Sequence, residues 1–269
     1  MILSMNAETI KILCALNNDF YRSHGASFAA SRQHAWDGWQ RCIETVCEGL
    51  GDCSALTVFD LACGNRRFET FLATALPEVA RTFYAVDNCE EMATAYCPTS
   101  HYRHLDILDI LQRNLPLNEQ FEAPPCDLSV AFGFMHHVPT QAYREEVLRS
   151  LIAQTRPGGY AIVSFWQFLT NDRLRTKAQA THREALHTRP PILVPLDPAQ
   201  LDDGDYLLGW QDTPGAYRYC HSFSEAEIDQ LVSTAVSQTA VTPRATVVDR
   251  FTADGRTNNL NTYLILQVL

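Results

Sequence analysis

The chain has 269 residues, enough to bury one large core or two small ones. Its 21 Lys and Arg against 31 Asp and Glu leave a net charge of −10, so its average field repels nucleic acid, and an RNA-binding role needs a local basic patch or a partner. No apolar run reaches the ~18 residues that span a bilayer. "MILSMNAETIKILCAL" lacks the basic start and the cleavage site of a signal peptide. Nine cysteines without a CxxC pair read as reduced, mostly buried thiols, which places the chain in the cytoplasm and predicts no metal site.

Asn6 is placed to cap a helix over 7–17, with Ile10, Leu13, Ala15 and Leu16 on its apolar side. The following stretch, to about residue 36, is dense in aromatic and basic groups but weakly periodic, and a second helix is expected over 37–50. From residue 56 strands and helices alternate. "LTVFDLA", "RTFYAVDN", "YRHLD", "CDLSVAF" and "YAIVSFW" read as strands, the last preceded by an "RPGG" turn. "NRRFETFLATAL", "EEMATAYC" and "TQAYREEVLRSLIAQT" read as the helices between them. Residues 169–217 break the rhythm and read as an insertion. "SEAE" at 224–227 has the form of a capping box opening a helix, and "RATVVDRF" and "NNLNTYLILQVL" form a closing hairpin around Asp254-Gly255. The predicted fold is α/β: a Rossmann-like, mostly parallel seven-stranded sheet with a C-terminal antiparallel hairpin and helices on both faces. Within one domain over 1–269, residues 1–50 form a helical lid, 51–168 the core, 169–223 the insertion, and 224–269 the last helix and hairpin.

Ligands of such sheets sit at the carboxyl ends of the strands. The first strand ends at Asp60, followed by a small-residue turn with Ala62, Cys63 and Gly64. Asp87, 23 residues after Gly64, ends the second strand and is placed to accept both ribose hydroxyls of a nucleotide cofactor. Asp106 ends the third, where an acid takes an adenine amino group, and Phe132 follows the fourth. With their neighbours Asn88 and Ile107, and with Tyr21 and Arg32 from the lid, these are the expected cofactor-binding residues.

The series "FDLACGN", "YAVDN", "HLDI", "DLSVAFGFMHHV" and "RPGGYAIVSF" resembles the class I S-adenosylmethionine-dependent methyltransferases over roughly 56–166. That resemblance implies S-adenosylmethionine as cofactor and methyl transfer as the activity. The family usually has Gly where this chain has Ala62 and Arg66. Ala62 costs little if its φ is negative and ~1–2 kcal/mol if positive. Arg66 is expected at the start of the helix, with its side chain either leaving the pocket or reaching back toward the cofactor.

The flanks "FYRSHGASFAASRQHAWDGW", "GDYLLGWQDTPGAYRYCHSF" and "RTNNLNTYLIL" are similar to the tRNA wobble-uridine carboxymethyl methyltransferases. The matching residues are Phe28, Ser31, Arg32, Trp36, Asp205, Trp210, Arg218, Tyr219, His221 and Phe223; Cys220 stands where that family has a second Tyr. The resemblance implies a carboxylate acceptor on tRNA and, as in the eukaryotic members, a small activator subunit as partner. Arg218 or Arg32 would clamp the acceptor carboxylate or the methionine carboxylate of the cofactor. Tyr219, Trp36 and Trp210 would stack on a base, His221 would bond the uracil edge, and His137 would line the transfer channel. Arg218, Tyr219, His221 and His137 are thus the candidate catalytic residues. Arg173, Arg175, Lys177, Arg183 and Arg189, against Asp172 and Glu184, form the one basic stretch suited to RNA. Three readings remain open: wobble-uridine methylation, methylation of a small metabolite, and a non-catalytic regulatory protein on a methyltransferase scaffold.

Overall fold

The computed structural model describes residues 5–51, 53–92, 99–236 and 244–269. It opens with a helix, α1, over Ala7–Ala30, capped by Asn6, whose side chain accepts from the Thr9 N–H at 2.8 Å. The helix runs well past the expected end at residue 17. Weak periodicity is overridden there by tertiary contacts: Asn17 and Phe20 are buried, and Gly25 lets the helix approach Cys89 and Met92. The second helix, α2, spans Gly38–Leu50 as expected.

The strands follow in the expected order: β1 (Ala55–Leu61), β2 (Ala80–Asp87), β3 (Ser100–His104), β4 (Cys126–Ala131) and β5 (Thr155–Trp166). Between them lie α3 (Arg67–Ala75), the short α4 (Ile107–Gln112) and α5 (Leu117–Gln120), and α6 (Gln141–Ala153). The helix expected over 90–97 falls mostly outside the described residues. "RPGG" is a bulge inside β5 rather than a turn before it: Thr155 pairs with Cys126, and Tyr160 already pairs with Leu128. Gly158 adopts φ 78° there, and a Cβ on Gly159 would sit 2.7 Å from the Asp127 carbonyl oxygen.

The insertion is ordered. It carries a 17-residue helix, α7 (Asp172–Thr188), and a two-stranded antiparallel ribbon of β6 (Asp205–Gly209) with β7 (Tyr217–His221). The expected capping box opens α8 (Glu225–Ala235), where Ser224 and Glu227 each take the other's backbone N–H. A hairpin of β8 (Ala245–Ala253) and β9 (Asn261–Val268) completes a seven-stranded sheet in the order β3-β2-β1-β4-β5-β9-β8. β9 is antiparallel to β5, and the first five strands are mutually parallel. The order reverses between β1 and β4, so the crevice at their carboxyl ends is where a ligand belongs. One expectation needs correcting: Cys47 and Cys53 form a disulfide, while the other described cysteines are free and buried. Among the described residues no helix is long and apolar enough to cross a membrane.

Candidate active site

A cavity of about 200 Å³ opens at the carboxyl ends of β1, β2 and β4 and is roofed by α1. Thirteen of the fifteen expected site residues border it. Asp60, Ala62, Cys63 and Gly64 come from β1 and its turn, and Asp87 and Asn88 from the end of β2. Asp106 and Ile107 follow β3, Phe132 and His137 follow β4, Tyr21 lies on α1, Arg32 follows it, and Arg218 lies on β7.

The turn explains its own sequence. Ala62, Gly64 and Arg66 all have positive φ, at 58°, 54° and 57°. All three positions of the family's glycine pattern are therefore left-handed, and the Ala62 conformation costs ~1–2 kcal/mol relative to glycine. Ala62→Gly is expected to raise the melting temperature by about 2–4 °C, measured by calorimetry; an unchanged or lower value would mean that Ala62 gains more from packing than it loses in strain. Arg66 is not the first helical residue, as expected, but the left-handed residue preceding α3. Its guanidinium carbon lies 4.7 Å from the Tyr102 ring centre and its side chain is not on the cavity wall. Burial raises the Asp60 pKa well above the usual carboxylate range, Glu69 and Asp87 add to this, and Arg66 offsets it. The arginine has thus left the pocket and serves the buried carboxylate beneath it.

The acids differ in what they hold. Asp87 accepts from the Gly64 and Cys89 N–H groups, both at 2.8 Å, and so ties the turn to the end of β2. Burial nevertheless raises its pKa. Asp106 caps α4 through Oδ1, while Oδ2 accepts from Asn18 Nδ2 at 2.8 Å. Asn18 also accepts from Asn88 Nδ2 at 2.8 Å, so one residue of α1 latches both strand ends. Asp60 Oδ2 is buried without a hydrogen-bond partner.

The far side of the cavity is cationic and aromatic. Arg218 is 5% exposed, and its Nε and Nη1 are buried without hydrogen-bond partners. It lies against Phe20, Phe28 and Trp210, at 5.2, 5.2 and 5.6 Å from their ring centres. Arg32 sits 3.7 Å over the Phe28 ring, and burial and the Arg218 charge lower its pKa to about 10. Among the described residues neither arginine forms an ion pair. His137 Nδ1 lies 3.0 Å from the Tyr219 carbonyl and 3.3 Å from Asn17 Nδ2, and Nε2 lies 2.8 Å from the Tyr21 hydroxyl. Burial and the Arg218 charge push its pKa down to about 3, and burial pushes that of Tyr21 up.

Tyr219 and His221 are not on the cavity wall, contrary to expectation. Side chains alternate along β7, so Arg218 faces the cavity while Tyr219 and His221 face the core. Both are fully buried: the Tyr219 hydroxyl donates to Asp205 Oδ1 at 2.7 Å, and Arg144 Nη2 donates to that hydroxyl at 3.0 Å. His221 lies between carboxylates, Nδ1 2.7 Å from Asp205 and Nε2 2.9 Å from Glu227. Neither residue can stack on a base or bond its edge. Burial would raise the Glu227 pKa, but the His221 hydrogen bond and the Ser224 contacts bring it down to about 2. A depressed carboxylate stabilises the fold above its unfolded pKa and loses that contribution as pH falls through the folded value. Glu227→Gln is therefore expected to lower the melting temperature at pH 7, with the gap to wild type narrowing as pH drops from about 4.5 toward 2; a gap constant with pH would remove the charge from this account.

Several cavity residues escaped the sequence reading: Asn17, Asn18, His136 and Trp166. Asn17 is the last residue of the helix expected over 7–17, and Asn18 lies just beyond it. Trp166 ends β5, and its place at a strand's carboxyl end was the available signal.

No protein-family profile matches the chain, and no curated protein sequence does. Solved structures do match in shape. The Burkholderia thailandensis 1,6-didemethyltoxoflavin-N1-methyltransferase, with bound S-adenosylhomocysteine, aligns at TM-score 0.56 and 15% identity over 96% of this chain and 88% of its own. The Synechocystis magnesium protoporphyrin IX methyltransferase with S-adenosylhomocysteine gives 0.54 and 16% over 97% and 99%. A Methanosarcina mazei S-adenosylmethionine-dependent methyltransferase gives 0.53 and 15% over 80% and 93%. The chain has the class I methyltransferase fold. Two of these matches cover 96% and 97% of this chain, whose sheet closes with a hairpin that a plain dinucleotide-binding sheet does not require.

Proposed function

We propose that the protein is an S-adenosylmethionine-dependent methyltransferase acting on a carboxylate oxygen. The residues fit the cofactor. Asp87 and Asp106 stand at the strand ends for ribose and adenine, and the unpartnered Oδ2 of Asp60 suits a cationic amine. The turn borders an open cavity and does not fill it, which favours cofactor binding over the scaffold reading. When bound, S-adenosylmethionine supplies a methyl group on a positively charged sulfur.

The observation that carries the acceptor class is Arg218, buried at the cavity wall with Nε and Nη1 unpartnered; half-buried Arg32, which donates to the Ser31 hydroxyl and forms no ion pair among the described residues, adds a second positive charge to the same wall. A desolvated guanidinium gains most from an anion that meets its free N–H groups. The same surroundings make poor bases. His137 is held neutral with its pKa near 3, that of His136 is lowered by burial and by His137, and Tyr21 stays protonated. A hydroxyl acceptor must lose a proton to such a group. A carboxylate would not: with the cofactor bound, its oxygen would take the methyl carbon as the sulfur–carbon bond broke, giving a methyl ester and S-adenosylhomocysteine with no proton moved. The residues then act by orientation and exclusion of water.

The RNA form of this reading places the carboxylate on the wobble uridine of tRNA; of the flanking residues, Phe28, Arg32, Trp36 and Arg218 border the cavity, while Tyr219 and His221 do not. Nucleoside mass spectrometry of tRNA from a deletion strain checks it; unchanged wobble nucleosides would end it. The broader reading is checked with labelled cofactor, protein and fractionated cell extract. Methyl esters release labelled methanol in mild alkali, and ethers and methylamines do not. Label that stays bound would refute a carboxylate acceptor. With the ester-forming acceptor in hand, kcat is expected to be flat between about pH 6 and 9, because the nearby histidines are neutral throughout. A rate climbing tenfold per pH unit would restore a general base.

A further inference from the structure

We propose, resting on the carboxylate reading above, that the acceptor is a free, planar aromatic carboxylic acid of one or two rings. The acceptor half of the cavity is built of flat faces. Trp166 meets His136 edge to face, ring centres 5.0 Å apart, and Trp36 stacks on Trp39 at 5.6 Å. Phe28 carries Arg32 on its face and borders Arg218. A flat ring packs against aromatic faces with little loss of conformational freedom. Arg218 offers Nε and Nη1 to the carboxylate, and His136 Nδ1, buried without a partner, is a further polar point for a ring substituent.

Two observations favour a free acid over a nucleic acid. The cavity is roofed by α1 through the Asn18 latch, which suits a small molecule better than an RNA stem. The basic stretch of α7 and its C-cap is partly paired within the protein. Arg175 donates to Asp172 and to the Leu169 carbonyl, Arg183 donates to the Gln179 carbonyl, and Lys177 faces Asp212. Arg189 holds the carbonyls of Val194 and Leu196, each at 2.7 Å. The two carboxylates facing the stretch lower the net positive charge it presents to phosphates, which supply most nucleic-acid affinity.

The test titrates calorimetrically the protein saturated with S-adenosylhomocysteine. The probes are phenylacetate, naphthalene-1-acetate, the non-planar cyclohexylacetate, and an anticodon stem-loop carrying carboxymethyluridine. Phenylacetate or naphthalene-1-acetate is expected to bind about fivefold or more tighter than cyclohexylacetate. Trp166→Leu should erase that preference, and Arg218→Ala should abolish binding of all three acids. Equal affinity for planar and non-planar acids, no binding of any acid, or binding of the stem-loop alone would overturn the proposal. The preliminary titration with S-adenosylhomocysteine separates the two levels: if it does not bind, the methyltransferase reading itself fails, and if it binds, only the acceptor class is at stake.

Discussion

Asp87→Ala is expected to weaken S-adenosylmethionine binding by about a hundredfold or more. Each hydrogen bond to a charged acceptor contributes roughly 1.5–3 kcal/mol, and two cofactor hydroxyls would be left without theirs. A second loss adds to this. The Asp87 carboxylate accepts from the Gly64 and Cys89 backbone N–H groups, so removing it also frees the turn that shapes the cavity. Asp87→Asn should fall between wild type and Ala, since its amide oxygen still accepts. Isothermal titration reads the affinity, and the cofactor-induced rise in melting temperature gives an independent measure. Affinity within threefold of wild type for the Ala variant would remove Asp87 from the site.

The second large effect belongs to Arg218. Arg218→Ala is expected to lower kcat/KM by about a hundredfold to a thousandfold, the cost of losing one member of a desolvated charge pair, roughly 2–5 kcal/mol. Cofactor affinity should stay within about threefold, because the acids at the strand ends are untouched. Lys should not restore activity, since it lacks the planar fork that meets both carboxylate oxygens. A variant that loses cofactor affinity instead would place Arg218 on the methionine carboxylate, and the parallel Arg32→Ala experiment would then identify the acceptor clamp. Normal turnover would exclude Arg218 altogether. The fold should survive the change, because the Tyr219–Asp205–Arg144 network on the opposite face of β7 remains intact.

The strand-end side of the cavity was legible in the sequence because it is local. Asp87 ends β2, Asp60 is the last residue but one of β1, and Asp106 lies two residues past β3; parallel strands with helical crossovers bring their carboxyl ends to one edge whatever the side chains do elsewhere. The acceptor half was not legible in the same way. "RYCH" shows that Arg218 and Cys220 share one face of a strand and Tyr219 and His221 the other, but not which face meets the cavity. That was decided by where the β6–β7 ribbon docks on α1. Asn17 Oδ1 accepts from the Tyr219 N–H at 2.8 Å, which anchors the strand with Arg218 toward the ligand. The same docking extends α1 to Ala30 and delivers Asn18, Tyr21 and Arg32 to the cavity.

The altered glycine turn divides along the same line. Strand, acid and turn are written in "VFDLACGN", and the residues themselves determine that a cofactor-type crevice forms there. That Ala62 bears a left-handed backbone, and that Arg66 turns away to lie over Tyr102 near buried Asp60, depends on groups contributed by β3 and the end of β1. Backbone periodicity is set by neighbours in the chain. The direction of a side chain, and the charge it meets, is set by packing between elements far apart in sequence.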